Sequence, residues 1–197
     1  MIILLNKIKN AFFGIWYFFW GNVFSFCFDK RNLQGRWFVG KWKGVFSVGW
    51  KWTTKAALSK IFMGCNKQAR YPICCSATVI HPSNIHFHPD NIDNFQSPGV
   101  YFQAIGDIYI GHGTYIGPNV GLITANHNFN NLDEHLTPKT IILGENCWIG
   151  MNSVILPGVE LWANTVVGAG SVVTKSFKEG HCVIAGNPAK LIKKLME

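Results

Sequence analysis

Residues 143–178 read LGENCW-IGMNSV-ILPGVE-LWANTV-VGAGSV-VTKSFK, six consecutive blocks of six. Every block opens on an aliphatic residue: Leu143, Ile149, Ile155, Leu161, Val167 and Val173. The fifth place is small or β-branched in Cys147, Ser153, Val159, Thr165 and Ser171, and Gly144, Gly150 and Gly168 stand second in their blocks. A helix needs apolar residues at i, i+3, i+4 and i+7, and nothing here sustains that spacing. Six residues suit a short strand plus a turn, with the aliphatic pointing inward and glycine easing the corner. Three such sides close one triangular coil, and the next coil then lays Leu161 against Leu143, Val167 against Ile149 and Val173 against Ile155. Chance spacing in an ordinary β-sandwich does not hold one phase over six blocks.

Upstream, the same phase gives IGHGTY from Ile110, IGPNVG from Ile116 and LITANH from Leu122. It then breaks, because Leu143 follows Leu122 by three and a half blocks rather than by a whole number. The intervening text is polar, carries Pro138 and lacks the repeat, so residues 126–140 read as a loop thrown out of the coil. Such loops are natural places for a site. His127 opens this one and His135 lies within it.

The front of the chain is physically different. The net charge is +8, but residues 1–70 hold 12 Lys+Arg against Asp29 alone, a net of +11, whereas residues 71–197 hold 6 against 9 acids, a net of −3. The same front stretch also holds 17 of the 28 aromatics. Residues 11–28, AFFGIWYFFWGNVFSFCF, carry no charge. That run is at the short limit for a spanning helix, which needs about 20 apolar residues. Gly14, Gly21, Asn22 and Ser25 interrupt it, and Trp16, Tyr17 and Trp20 sit mid-run rather than at its ends. No small-x-small cleavage site follows, so it is a poor signal peptide. Beyond it, Trp37, Trp42, Trp50 and Trp52 alternate with Arg36, Lys41, Lys43, Lys51 and Lys55. Rings favour the headgroup layer and lysines an anionic leaflet. The expectation is a membrane-associating, helical segment over 1–70 that contacts the surface through residues 1–60. The protein is then cytoplasmic and peripheral on the inner face of the cell membrane. Nucleic acid has no use for a long uncharged run, so it is not expected as a partner.

The six cysteines (Cys27, Cys65, Cys74, Cys75, Cys147, Cys182) contain no C-x-x-C pair and no zinc-ligand spacing, and are expected to be buried free thiols.

With IGHGTYIGPNVGLITANHNF, ENCWIGMNSVILPGVELWANTVVGAGSVVTKSF and VIAGNPAKLI on the page, the chain resembles the hexapeptide-repeat acyltransferases over roughly residues 98–195. The resemblance is to the branch of the maltose, galactoside, xenobiotic and surface-polysaccharide O-acetyltransferases. It implies a mainly β fold: a left-handed parallel β-helix over 71–186, then a short C-terminal helix over 187–197 opened by Pro188. It also implies a homotrimer with sites between neighbouring coils, and acetyl-CoA as the acyl donor. The family's catalytic histidine stands where the loop leaves the coil, in text like T-x-x-H before a later W-I-G. Thr124-Ala125-Asn126-His127 and Trp148-Ile149-Gly150 match, which implies that His127 is the general base. By the same match the donor lies along Trp148, Gly150, Met151, Gly168, Ala169, Thr174 and Lys175. Lys190, in G-N-P-A-K, would meet the CoA phosphates.

Gln103, Asn126, His135 and Asp107 are candidate acceptor contacts; Asp107 would orient a histidine across a subunit interface, or else serve as a turn carboxylate. Asn119 reads as a corner residue. The resulting expectation is an acetyl-CoA-dependent O-acetyltransferase that modifies a sugar hydroxyl of a cell-surface glycan or its membrane-linked precursor. Transfer of the acetyl group would be direct, and no metal is expected. An N-acetyltransferase on an amino sugar remains an alternative. So does a trimeric metal-dependent hydratase using His81, His86 and His88, and so does a noncatalytic membrane scaffold.

Overall fold

The computed structural model describes residues 2–39 and 44–195. Among them the repeat region winds as a coil with three parallel faces. One face stacks Thr78–Ile80, Tyr101–Gln103, Gly121–Ile123, Val154–Ile155 and Val172–Val173. The second stacks Ile85–Phe87, Ile108–Ile110, Ile141–Leu143 and Glu160–Leu161. The third stacks Tyr115–Ile116, Trp148–Ile149, Thr165–Val167 and Cys182–Gly186.

The expected register holds at all three places: Leu143 pairs with Leu161, Ile149 with Val167 and Ile155 with Val173. One coil earlier, Ile110 meets Leu143, Ile116 meets Ile149 and Leu122 meets Ile155. These earlier partners lie further apart in the chain than the later ones, because the excursion between Leu122 and Leu143 is spliced into one side of this coil. The inward aliphatics are essentially sealed, with Leu122, Ile141, Ile149, Ile155, Leu161 and Val173 all 0% exposed. Each such side chain contributes roughly 1.5–3 kcal/mol of burial. Corners are turned in the left-handed backbone region by Asn119, Asn146, Asn152 and Asn164, at φ between +53° and +59°. Asparagine tolerates that conformation better than other residues with a Cβ. Asn119 also donates from Nδ2 to Asn152 Oδ1 at 3.0 Å, which ties two corners together.

The front segment is helical: α1 (Ile2–Val23) and α2 (Val48–Leu58), the latter prolonged by a wider turn over Ser59–Met63. The two helices lie close because α1 presents glycine to α2. A Cβ on Gly21 would sit 2.9 Å from the Trp50 carbonyl oxygen. Phe18 meets the Trp50 ring edge-on, and Thr54 Oγ1 reaches the Tyr17 carbonyl at 3.4 Å. Phe28, Leu33, Phe38, Ala56, Ala57 and Ala69 belong to the same buried cluster as Tyr71, Ile73 and the coil aliphatics. Trp37 Nε1 donates to the Asp90 carbonyl at 2.8 Å, which pins the segment to the first coils.

Three expectations change. Trp37, Trp50 and Trp52 are half-buried packing groups against the core, not a surface array, although Lys51 and Lys55 beside them are exposed. Trp42, Lys41 and Lys43 lie outside the described residues. The C-terminal helix expected over 187–197 is instead a strand, Ala189–Lys194, antiparallel to Cys182–Gly186. A segment this short is a marginal helix, whereas the open edge of the last coil offers unpaired backbone groups that a strand satisfies. Finally, Cys65 and Cys75 are joined by a disulfide rather than free, and Cys147 and Cys182 are the buried thiols. Among the described residues, no helix is long and apolar enough to cross a membrane.

Candidate active site

The polar excursion is a two-stranded hairpin, His127–Asn128 against Asn131–His135. Its root is clamped. Leu136 N donates to the Asn126 carbonyl and Lys139 N to the Thr124 carbonyl, both at 2.8 Å. Thr124 is fully buried; its hydroxyl donates to the Gln103 carbonyl at 2.6 Å and accepts from Gly106 N at 2.9 Å. The Gln103 side chain accepts from Ala125 N at 3.0 Å. His127 therefore leaves the coil from a backbone held on both sides.

His127 lies 2.7 Å through Nδ1 from the Leu132 carbonyl oxygen. A carbonyl only accepts, so Nδ1 carries a proton, and in the neutral ring the lone pair is then on Nε2. That is the tautomer of a base, with the ring fixed by the hairpin's own backbone. His135 pairs with His127 across the hairpin, its ring centroid 4.3 Å away. Asn126 is exposed beside it. Gln103 and Thr124 support the hairpin root, and Thr124, inside the T-A-N-H text, is the positioning residue that sequence reasoning passed over. Asp107 adjoins Gly106 at the hairpin root; its carbonyl accepts from Ile141 N at 3.0 Å, its carboxylate is 2.8 Å from His86 Nε2, and that imidazole stacks on Tyr109.

The proposed donor residues follow the coil corners. Trp148 and Met151 are exposed, and Gly150 between them is buried against the next coil. A Cβ on Gly150 would meet Ala169 N at 2.6 Å, so a side chain there would wedge the two coils apart. Gly168 and Ala169 form the corner beneath, with Gly150 N donating to the Val167 carbonyl and Gly168 N to the Ile184 carbonyl. Thr174 and Lys175 are exposed one turn further on, the ammonium 5.7 Å from the Phe177 ring. Lys190 is exposed on the last strand, opposite Ala185. Among the described residues, neither Lys175 nor Lys190 is ion-paired, whereas Lys178 and Lys194 are committed to Glu160 and Glu179. Burial pushes the Cys147 thiol pKa up, which makes it a poor nucleophile.

His81, His86 and His88 do not converge within the chain. His81 turns a corner at φ +50°, His86 is taken by Asp107, and His88 faces Asp90 and His112.

The family described as "Bacterial transferase hexapeptide (six repeats)" matches residues 140–175. A "Putative acetyltransferase" of Saccharomyces cerevisiae is 43% identical over 133 residues, 63% of this chain and 66% of that protein. The galactoside O-acetyltransferase of Lactococcus lactis is 34% identical over 115 residues, 57% of this chain and 54% of that one. Among solved structures, a maltose O-acetyltransferase from Clostridium difficile is 33% identical, with a TM-score of 0.47 over 58% of this chain and 57% of its own. The chain thus spans between about half and two thirds of the length of the curated relatives it matches. The chain is therefore similar to the hexapeptide-repeat acetyltransferases, a galactoside O-acetyltransferase among them.

Proposed function

We propose that this protein transfers an acetyl group from acetyl-CoA directly to a sugar hydroxyl of a cell-surface glycan or its membrane-linked precursor. The observation that carries the reading is the His127 imidazole, held through Nδ1 on the Leu132 carbonyl so that Nε2 is free to accept a proton. In the reaction, Nε2 takes the hydroxyl proton as the oxygen attacks the thioester carbon. The tetrahedral intermediate collapses, the carbon–sulfur bond breaks, and the imidazolium returns the proton to the departing thiolate. No acyl-enzyme is needed.

Transfer to a sugar rather than to water requires a dry site. Residues 126–140 are exposed apart from the half-buried Asn128, and Phe129 and Leu132 stand 86% and 67% exposed. A second copy packed on this hairpin would supply the missing wall, which supports a trimer of left-handed coils. The donor would then run past Trp148 and Met151 towards Lys175 and Lys190, whose free ammonium groups suit CoA's phosphates.

His127→Ala tests the chemistry. The expected loss in kcat is about 10²–10⁴-fold, with acetyl-CoA binding nearly unchanged, read by thiol release and by calorimetry. Near-normal turnover would remove His127 from the mechanism.

A further inference from the structure

The first coils hold a second group of chemistry-bearing side chains that acetyl transfer does not use. His88 ends the strand Ile85–Phe87, and Asp90 lies in the first turn of the 3-10 segment Pro89–Gln96. His112 follows the strand Ile108–Ile110, which pairs with Ile85–Phe87 through Phe87 and Ile110. Two successive corners therefore bring two imidazoles and one carboxylate to one point. Their nearest ligand atoms all lie within 4.8 Å of one another.

The carboxylate is oriented before anything binds. Asp90 Oδ1 accepts from the backbone N of Arg36, which leaves Oδ2 facing both rings. Oδ2 is 3.1 Å from His112 Nε2 and 3.7 Å from His88 Nδ1. Tetrahedral zinc, with bonds of about 2.0–2.1 Å, sets neighbouring ligand atoms about 3.3 Å apart. The two carboxylate–imidazole separations bracket that value, and the third, between the two rings, is within 4.8 Å, so the rings must turn inward and His112 must exchange its hydrogen bond to Oδ2 for the metal. His88 Nδ1 would give up its 3.2 Å bond from Asp90 N in exchange.

The Arg36 guanidinium is engaged elsewhere: it lies 3.9 Å from Asp93 and donates to Tyr115 OH at 2.9 Å. Both imidazoles are half-exposed, which gives the ion a path in and a water the fourth position.

We propose that His88, Asp90 and His112 bind one transition-metal dication of the zinc type. Two imidazoles and one carboxylate favour zinc, cobalt, nickel or copper over magnesium or calcium, which prefer oxygen. The ion would act structurally. It would join two coils to each other and, because Asp90 also holds Arg36 N and Trp37 Nε1 through its side chain and carbonyl, fasten the front segment to both. Sequence reasoning grouped His81, His86 and His88 as its metal-binding alternative, and these do not converge within the chain. The ligands that do meet come from two successive corners, a juxtaposition that only the observed register reveals.

The test uses the full chain stripped with chelator. Co²⁺ is titrated against visible ligand-field absorption and Zn²⁺ against thermal unfolding. The expected result is one Co²⁺ per chain with tetrahedral bands, and a raised midpoint with zinc. His112→Gln should weaken Co²⁺ binding by roughly tenfold or more. His88→Gln, at an exposed ring, gives the same readout should His112→Gln fail to fold. His135→Gln controls for the His127–His135 pair and should bind as the parent does. Absence of stoichiometric Co²⁺, unchanged binding in the His88 and His112 variants, or loss of binding in His135→Gln would each overturn the proposal.

Discussion

Thr124 makes hydrogen bonds of 2.6 and 2.9 Å at a fully buried position, where the coil gives way to the hairpin. Thr124→Val keeps the shape and removes both bonds, leaving Gly106 N without the Thr124 hydroxyl and the Gln103 carbonyl with only the bond from Thr124 N at 3.2 Å. The expected cost is about 1–3 kcal/mol, read from the denaturant midpoint. kcat should fall with it, because the His127 backbone departs from this residue. Unchanged stability would mean that water replaces the hydroxyl. The T-A-N-H text suffices to propose His127, since it needs only a short motif. Its protonation pattern was not legible, because the Leu132 carbonyl reaches the ring only once the hairpin has formed. Gln103 shows the same limit: its sequence reading is a substrate contact, and only the fold reveals that its Oε1 also accepts from Ala125 N of the neighbouring coil.

At the scale of the element, the coil is a stack of similar layers whose inward aliphatics form a row on each face. Ile155 is 0% exposed and lies between Leu122 and Val173. Ile155→Ala should cost roughly 2–5 kcal/mol, because rigid coils above and below cannot collapse into the cavity. Ile142, on an outward-facing position at 37% exposure, is the comparison. Its replacement by Ala should stay within about 0.5 kcal/mol, so urea unfolding should separate the two clearly. Equal effects would mean that the row is not the core. The repeat made this row readable, since from Leu143 onward each partner falls three blocks later in the chain. Towards the front the phase fails. Thr78 pairs with Tyr101 and Tyr101 with Gly121, unequal steps that no hexapeptide frame anticipates. The last strand failed differently: LIKKLM has helical composition, and the edge it covers overrides that preference.

Over the whole molecule, the charge of +8 is a basic helical front set against a nearly neutral coil. The front is not a detachable anchor, since Phe28, Phe38 and Ala57 are core residues of the same cluster as the coil. Truncation near Tyr71 would therefore strip the core and report on folding rather than on location. What remains unpartnered is the outer side of α1, where Leu4, Ile8, Phe12, Trp16 and Phe19 are 47–63% exposed at helical spacing. Phe26, Phe62 and Met63 add exposures of 70–79%. Soluble monomers rarely leave so much large apolar surface open. Lys7, Lys9, Lys51 and Lys55 are exposed on the same two helices. Lysines near the surface of an anionic bilayer contribute about 1 kcal/mol each, and the rings suit the interface. These features support the proposal that the front binds an anionic leaflet with α1 lying along it. The triple substitution Phe12→Ser, Trp16→Ser, Phe19→Ser tests this without touching the Gly14 and Gly21 side that packs on Phe46 and Trp50. The parent should co-sediment with phosphatidylglycerol-rich vesicles, less with pure phosphatidylcholine, and less again at high salt. The triple variant should remain in the supernatant with its unfolding midpoint little changed. Equal sedimentation of the two would remove the membrane from this reading, and a concentration-dependent oligomer lost in the variant would assign the face to a second copy of the chain.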